Sequence, residues 1–360
     1  MINVISGLAA LVLLGSAFAE PEAAKPRTPP LIRGTLWWVT QQGYSGWTQD
    51  QFAKEIETQR AVGFDVLWIL NTPSLFKDAV DNETAGKPYD AIEMILTVAD
   101  AKGMKVIVDL PTGGWYGKTP AEDMIATLKD HVDRFHARYG RHPSLWGWYL
   151  NHEINPIAPD GVEETAYWRT VWRATAQACH AKAPKSVVTI SPFFLLDEPR
   201  RRGFVYLTPQ QYAGWWGETL TQTGIDILML QDSGEHLSFF TLEQREPFFA
   251  AVAEACHKAG ARFWVNVETG EADVAGWDQF LALSAEQKVP WRFTPIEWLE
   301  KKLALAARYG DGIINWGYYP YMDPTPIPGQ EKEGSKAAYA AYKAYYERIR
   351  KAGGLLPPLE

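Results

Sequence analysis

Two short segments of the chain end in carboxylates that could work as a pair. The first runs Trp146-Gly147-Trp148-Tyr149-Leu150-Asn151-His152-Glu153-Ile154-Asn155, and the second Phe263-Trp264-Val265-Asn266-Val267-Glu268-Thr269-Gly270-Glu271. Each reads as a strand and its continuation, in which alternate side chains share a face. Gly147, Tyr149, Asn151 and Glu153 then lie on one face of the first, with Leu150 and His152 on the other. Trp264, Asn266 and Glu268 share a face of the second, while Val265 and Val267 would pack against helices. Both polar faces end in a glutamate. Set opposite each other, one carboxylic acid can protonate a departing oxygen while the other attacks or stabilises an oxocarbenium-like carbon, which is how a glycosidic bond is broken. The two jobs need different pKa values, and separate surroundings can set them. A single glutamate at a strand end is more often a rim residue paired with Arg or Lys; two at matching positions, with asparagines alongside, favour chemistry.

The elements that must position these acids form a regular alternation. Strands are expected at Thr35–Thr40, Asp65–Leu70, Lys105–Leu110, Leu145–Leu150, Ser186–Ser191, Asp226–Gln231, Arg262–Val267 and Gly312–Trp316. Helical patterns lie near Gln51–Val62, Ala91–Lys102, Ala121–Tyr139, Glu164–Ala181, Pro209–Thr221, Leu242–Ala259, Pro295–Tyr309 and Lys336–Lys351. Thr119-Pro120 and Thr208-Pro209 supply helix starts, and Gly63, Gly103 and Gly224 each stand between a helix and the next strand. A strand–helix unit repeated in this way predicts a parallel sheet flanked by helices. Eight units suit a closed α/β (β/α)8 TIM barrel of one domain; a doubly wound open sheet is the alternative. The long non-helical stretches 71–88, 111–120, 151–163, 192–208, 268–294 and 317–335 all follow strands, on the face where barrel active sites are built. Glu153 and Glu268 close strands four and seven on that face.

Residues 1–19 carry an apolar run, Ile5 to Leu14, and end in Ala17-Phe18-Ala19, the pattern of a signal peptide cut after Ala19, although no Lys or Arg precedes the run. A secreted or periplasmic enzyme is expected, with no membrane insertion after cleavage. Residues 20–33 read as a Pro-rich linker, 34–352 as the barrel and 353–360 as a C-terminal tail. The net charge of −8 argues against a nucleic-acid partner, because phosphate backbones call for clustered Lys and Arg. The two cysteines, Cys179 and Cys256, fall in the fourth and sixth helical patterns, too far apart to bridge, and read as buried apolar residues. The oligomeric state is not legible.

Sixteen tryptophans suit a sugar substrate, whose apolar C–H faces stack on indole. Trp37 or Trp38, Trp115, Tyr116, Trp316, Tyr318, Tyr319 and Tyr321 sit at or beyond strand ends, whereas Trp168, Trp172, Trp215, Trp216 and Trp298 lie in helices and read as packing. The expected substrate-binding set is Asn151, Asp232, Trp37, Trp115, Tyr149, Asn266, Trp316 and Tyr318. Asp232 reads equally as a rim carboxylate beside Glu268 or as a loop cap, and Glu271 is a reserve nucleophile. Thr112 to Thr119 nearly spells a phosphate loop but lacks its first glycine. No Gly-x-Ser-x-Gly elbow and no His-Glu-x-x-His motif occurs. No cofactor or metal is expected, a His152/Glu153/Asp232/His236 metal site being the weaker alternative. A non-catalytic carbohydrate-binding barrel is the other.

The Asn-x-Glu ending of strand four, the Val267-Glu268-Thr269-Gly270 ending of strand seven and the aromatic ending of strand eight resemble the clan A glycoside hydrolases. Trp148 to Glu153, Leu228 to Asp232 and Phe263 to Glu268 also resemble a bacterial family of exported barrels without an assigned activity. The resemblance spans most of residues 33 to 350. It implies a retaining glycoside hydrolase acting on an oligo- or polysaccharide, with Glu153 as acid/base and Glu268 as nucleophile. One departure stands out: the clan has Asn directly before its acid/base, and here His152 lies between Asn151 and Glu153.

Overall fold

The computed structural model describes residues 26–325 and 332–359; the expected leader, 1–19, and the start of the expected linker lie outside these residues. Eight parallel strands close into a barrel: β1 (Gly34–Trp38), β2 (Val66–Leu70), β3 (Lys105–Asp109), β4 (Leu145–Leu150), β5 (Val187–Ile190), β6 (Ile227–Asp232), β7 (Arg262–Glu268) and, after a short ribbon made of β8 (Gly270–Ala272) and β9 (Trp291–Phe293), β10 (Gly312–Trp316). β10 lies between β7 and β1, so the last strand closes on the first. The chain is a single (β/α)8 TIM barrel.

These segments form strands because both of their faces are apolar. Leu67, Ile69, Val106, Val108, Trp148, Leu150, Val188, Ile190, Leu228, Leu230, Val265 and Val267 join the helices in the outer core. Val66, Trp68, Ile107, Tyr149, Val187, Ile227, Met229, Trp264 and Ile314 fill the barrel itself. The two sets alternate along each strand, as a sheet buried on both sides requires. Gly147 points into the barrel, where a Cβ would lie 2.9 Å from Val187 Cγ2 and 3.1 Å from Ile107 Cγ1, so larger neighbours use that space. A register shift between Val106 and Ile107 accompanies the inward turn of Trp146, whose ring stacks on Trp264 at 6.1 Å.

The N-terminal face is closed by the ends of the chain. Arg33 pairs with Asp65 at 2.5 Å and donates to the carbonyl of Pro357 at 2.7 Å, while Leu31 and Ile32 are buried. The expected helices Ala91–Lys102 and Ala121–Tyr139 have the observed limits. Two further helices, Thr72–Thr84 and Trp277–Ala285, lie within stretches read as non-helical. The first carries a readable signal, an N-terminal proline at Pro73 followed by buried Leu75, Phe76 and Ala79. Both cysteines are buried free thiols, and among the described residues no helix is long and apolar enough to cross a membrane.

Candidate active site

The C-terminal ends of β4, β6 and β7 bring Glu153, Gln231 and Glu268 to one mouth. Gln231, on β6, is level with Asn266 of β7 and shares its inward direction. Its amide Nε2 donates to Glu153 Oε1 at 2.5 Å and to the carbonyl of Ser191 at 2.8 Å, which fixes Glu153 from two strands away. Glu153 is exposed, whereas Glu268 is only 6% exposed. Among the described residues neither carboxylate forms a salt bridge, so the bland reading of a rim glutamate held by Arg or Lys does not apply to them.

Glu268 is held instead by main chain. Its Oε2 accepts the N–H of Gly234 at 2.6 Å. Glycine is required there by a close approach: a Cβ on Gly234 would stand 1.8 Å from the carbonyl oxygen of Gly270. Burial lifts the Glu268 carboxyl to about 8; the Gly234 N–H and the charge of Lys302 act against that rise, while Glu153 and Asp232 add to it. The repulsion from Glu153 puts both acids in one electrostatic environment.

A second buried layer supports Glu268 from behind. Lys302 donates to the Glu268 carbonyl at 2.8 Å and to Glu271 Oε1 at 3.3 Å, and lies 3.5 Å from Asp232 Oδ2. Arg245 donates to Asp232 Oδ1 at 2.6 Å, and Trp298 Nε1 to Glu271 Oε1 at 3.1 Å. Two anions and two cations balance, the condition under which buried charges are tolerated. Burial pushes the Asp232 carboxyl up, but Arg245 and Lys302 outweigh it and hold Asp232 below its ordinary value.

Asp109, at the end of β3, is a third inward carboxylate. It accepts the Thr72 N–H and hydroxyl, each at 2.7 Å, and the Asn151 amide at 3.2 Å. Burial raises it to about 6 against these bonds. Asp109 thereby orients Asn151, two residues before Glu153. Asn266 donates to Ser191 Oγ at 3.2 Å and leaves its buried Oδ1 without a partner among the described residues. Tyr149 lies beneath the mouth, edge-on to Trp68 at 4.9 Å. Burial, then Glu153 and Asp109, push its hydroxyl far above its usual value, so it stays a neutral donor.

Trp316 pairs with Glu268 in the sheet register and forms an aromatic wall with Trp291 and Tyr321, ring centroids 6.1 to 6.4 Å apart. Burial and the nearby Glu268 raise Tyr321 to about 12. Trp115 is 36% exposed and packs edge-on against Trp168 at 5.3 Å.

The structure thus gathers Glu153, Glu268, Asn151, Asn266, Tyr149 and Trp316 at the mouth, with Trp115 on the loop after β3. Three expected binding residues are not available to a substrate at the mouth. Trp37 is wholly buried on the outer side of β1, stacked on Tyr319 and donating to Tyr44; its neighbour Trp38 takes the mouth side and is 62% exposed. Tyr318 is buried in the outer core beside Phe64 and Tyr339. Asp232 is level with Val267, on the outward face of its strand, and is consumed by Arg245 and Lys302. Glu271, the reserve nucleophile, is bound by Trp298, Lys302 and Arg292. The weaker metal alternative also fails on geometry. His152 donates to the Thr112 carbonyl at 2.7 Å and accepts from Trp172, and burial lowers it to about 4. Among the described residues no three His, Cys, Asp or Glu side chains are arranged to hold a metal ion. Asp109, Gln231, Gly234, Trp291 and Lys302 were not singled out as site residues from sequence. Of these, Asp109 and Gln231 carry a signal, since inward alternation from Ile107 and Met229 reaches them.

Comparison with solved structures finds the same (β/α)8 barrel fold in other proteins. A candidate alpha-L-fucosidase from Bacteroides thetaiotaomicron is similar with a TM-score of 0.66 at 19% identity, over 94% of this chain and 99% of that one. The GH5_18 protein of Streptomyces cattleya, solved with GlcNAc, gives 0.54 at 14% identity, over 93% of this chain and 83% of that one. A beta-glucuronidase from an uncultured Clostridium gives 0.52 at 13% identity, over 90% of this chain and 50% of that one. At these identities the likeness is one of fold. Residues 32–328 match the family described as Domain of unknown function (DUF4434), and the chain belongs to that family. No curated protein matches the sequence.

Proposed function

We propose that this barrel is an exported, retaining glycoside hydrolase that cuts an oligo- or polysaccharide between Glu153 and Glu268. The observation that carries the reading is the pair itself: two carboxylates without a salt bridge among the described residues, one exposed and one buried, in a mouth where the charge of Glu153 disfavours ionisation of Glu268. The acid step needs one of the two carboxyls protonated. At rest the proton sits on Glu268, whose carboxyl titrates at about 8. Positive charge developing at the anomeric carbon of a bound sugar favours ionised Glu268. Substrate therefore drives the proton to Glu153, which becomes the acid as Glu268 becomes the nucleophile. Gly234 N–H holds the attacking carboxylate, Gln231 holds the acid, and Trp316 with Tyr321 and Trp291 offers a stacking wall. The Ala17-Phe18-Ala19 pattern supports export.

The resting proton on Glu268 also favours a second reading, in which Glu268 is the acid and Glu153 the base or nucleophile. A panel of activated 2-deoxy-2-fluoro glycosides separates the two. Such reagents stall a retaining enzyme as its glycosyl-enzyme, and peptide mass mapping finds the labelled residue. Label on Glu268 supports the assignment given, and label on Glu153 exchanges the roles. A protein that binds glycans tightly, takes no label and releases no product from any glycan tested is a carbohydrate-binding barrel instead.

A further inference from the structure

Beside the mouth's aromatic wall, the seam between the first and last β/α units buries a pair of acids that no cation among the described residues compensates. Glu55, on helix Gln49–Arg60, is 3% exposed, and Asp323, in the segment after β10, is 1% exposed. The Thr325 hydroxyl bridges them, 3.1 Å from Glu55 Oε2 and 3.4 Å from Asp323 Oδ1, and the Thr325 N–H donates to Asp323 Oδ1 at 2.8 Å. The Tyr319 hydroxyl donates to Glu55 Oε1 and in turn accepts the Gln59 amide at 2.9 Å. Among the described residues neither Glu55 nor Asp323 has a salt-bridge partner. Two ionised carboxylates this close, out of water, are unstable without positive charge.

Two further oxygens point to what supplies that charge. Gln59 is wholly buried and lies one helical turn from Glu55 with its amide against the same cluster; its Oε1 has no hydrogen-bond partner. Tyr318 is wholly buried too, its hydroxyl is unpartnered, and Glu55 and Asp323 are the charges acting on it most strongly. The donor set is thus all oxygen: two carboxylates, an amide carbonyl and hydroxyls. Hard divalent cations of the calcium type select such a set, and a charge of two neutralises two carboxylates. A proton shared between the two carboxylates would leave Gln59 Oε1 and the Tyr318 hydroxyl as they are, without partners.

We infer that Glu55, Asp323, Gln59 Oε1 and the Tyr318 hydroxyl form a structural site for a hard divalent cation, calcium by its chemistry, which ties helix Gln49–Arg60 to the segment after β10. That segment carries Tyr321 of the aromatic wall, so the cation braces one side of the mouth. The site is independent of the hydrolase reading.

The test uses the purified full chain, stripped with a chelator and then titrated with calcium chloride, with magnesium chloride in parallel. The expected result is one calcium bound per chain by equilibrium dialysis. At a concentration a hundredfold above Kd, Tm should rise by about 5 °C. Glu55→Gln and Asp323→Asn should each abolish both effects. Should either variant fail to fold, the metal content and Tm response of the unaltered chain still decide. Three outcomes overturn the site: no bound cation and no Tm change; calcium binding that survives both substitutions; or a fall in Tm between pH 6 and 8 that is the same with and without calcium and is smaller in Glu55→Gln, which means the pair holds a proton.

Discussion

Replacing Glu268 by Gln should destroy hydrolysis while making the protein more resistant to alkali, and the second effect can be worked from the structure. The Glu268 carboxyl is raised from its ordinary 4.5 to about 8, first by burial. The folded protein then keeps a proton that the unfolded chain has released. Stability therefore falls as pH rises from about 4.5 through about 8 and is flat above, because the native state binds more protons. With 1.36 kcal/mol per pH unit, the penalty is about 2 kcal/mol at pH 6 and about 5 kcal/mol at pH 9. Glutamine keeps the shape and the Oε acceptor for the Gly234 N–H but never ionises. The stability gap between Glu268→Gln and the parent should widen by about 3 kcal/mol between pH 6 and pH 9, or roughly 4–6 °C in Tm. Glu55 and Asp323 also titrate upward, but they are common to both proteins and cancel in the difference. Urea unfolding at the two pH values, with hydrolysis followed alongside, measures both effects. Stability curves that run parallel with pH would refute the buried, proton-holding Glu268 and the proton-sharing mechanism built on it.

Three other substitutions separate the site from its scaffold. Gly234→Ala puts a methyl against the Gly270 carbonyl and should push the N–H off Glu268; kcat should fall about 10²-fold on the scale of one lost main-chain donor, with about 1–3 kcal/mol of stability lost, and a variant of unchanged kcat would deny that N–H a role. Trp316→Ala should raise KM with little effect on unfolding, whereas Trp37→Ala should cost about 3–5 kcal/mol and leave KM alone in the surviving fold; steady-state kinetics and denaturant titration would expose the reverse pattern.

The barrel was legible because its signal is repeated. Strands β4 and β10 have the expected limits, and the others differ at their ends, since period-two apolar patterning with capped helices between leaves little choice of fold. What the rhythm did not supply was elements outside it: the ribbon of β8 and β9 and the helices Thr72–Thr84 and Trp277–Ala285 are additions to the strand–helix unit. The two glutamates were legible for the same reason as the strands, each closing an inward-facing alternation.

The misplaced residues show what alternation lacks without register. Trp37 pairs with Ile69, an outer-core residue, and Trp38 with Leu70, so one position decides between a core indole and an exposed one. Asp232 and Gln231 differ in the same way. Gln231 is level with inward Asn266 and Asp232 with outward Val267, a match visible only once β6 and β7 are aligned. The side of the sheet then fixes the chemistry available to each acid. Asp232 faces helices that bring Arg245 and Lys302, and becomes a permanently ionised strut. Glu268 faces the mouth, where among the described residues its direct donor is a main-chain N–H, and stays free to lose and regain a proton. Lys302 joins the two by touching the Glu268 carbonyl rather than its carboxylate, so it can fix the position of the acid without quenching it.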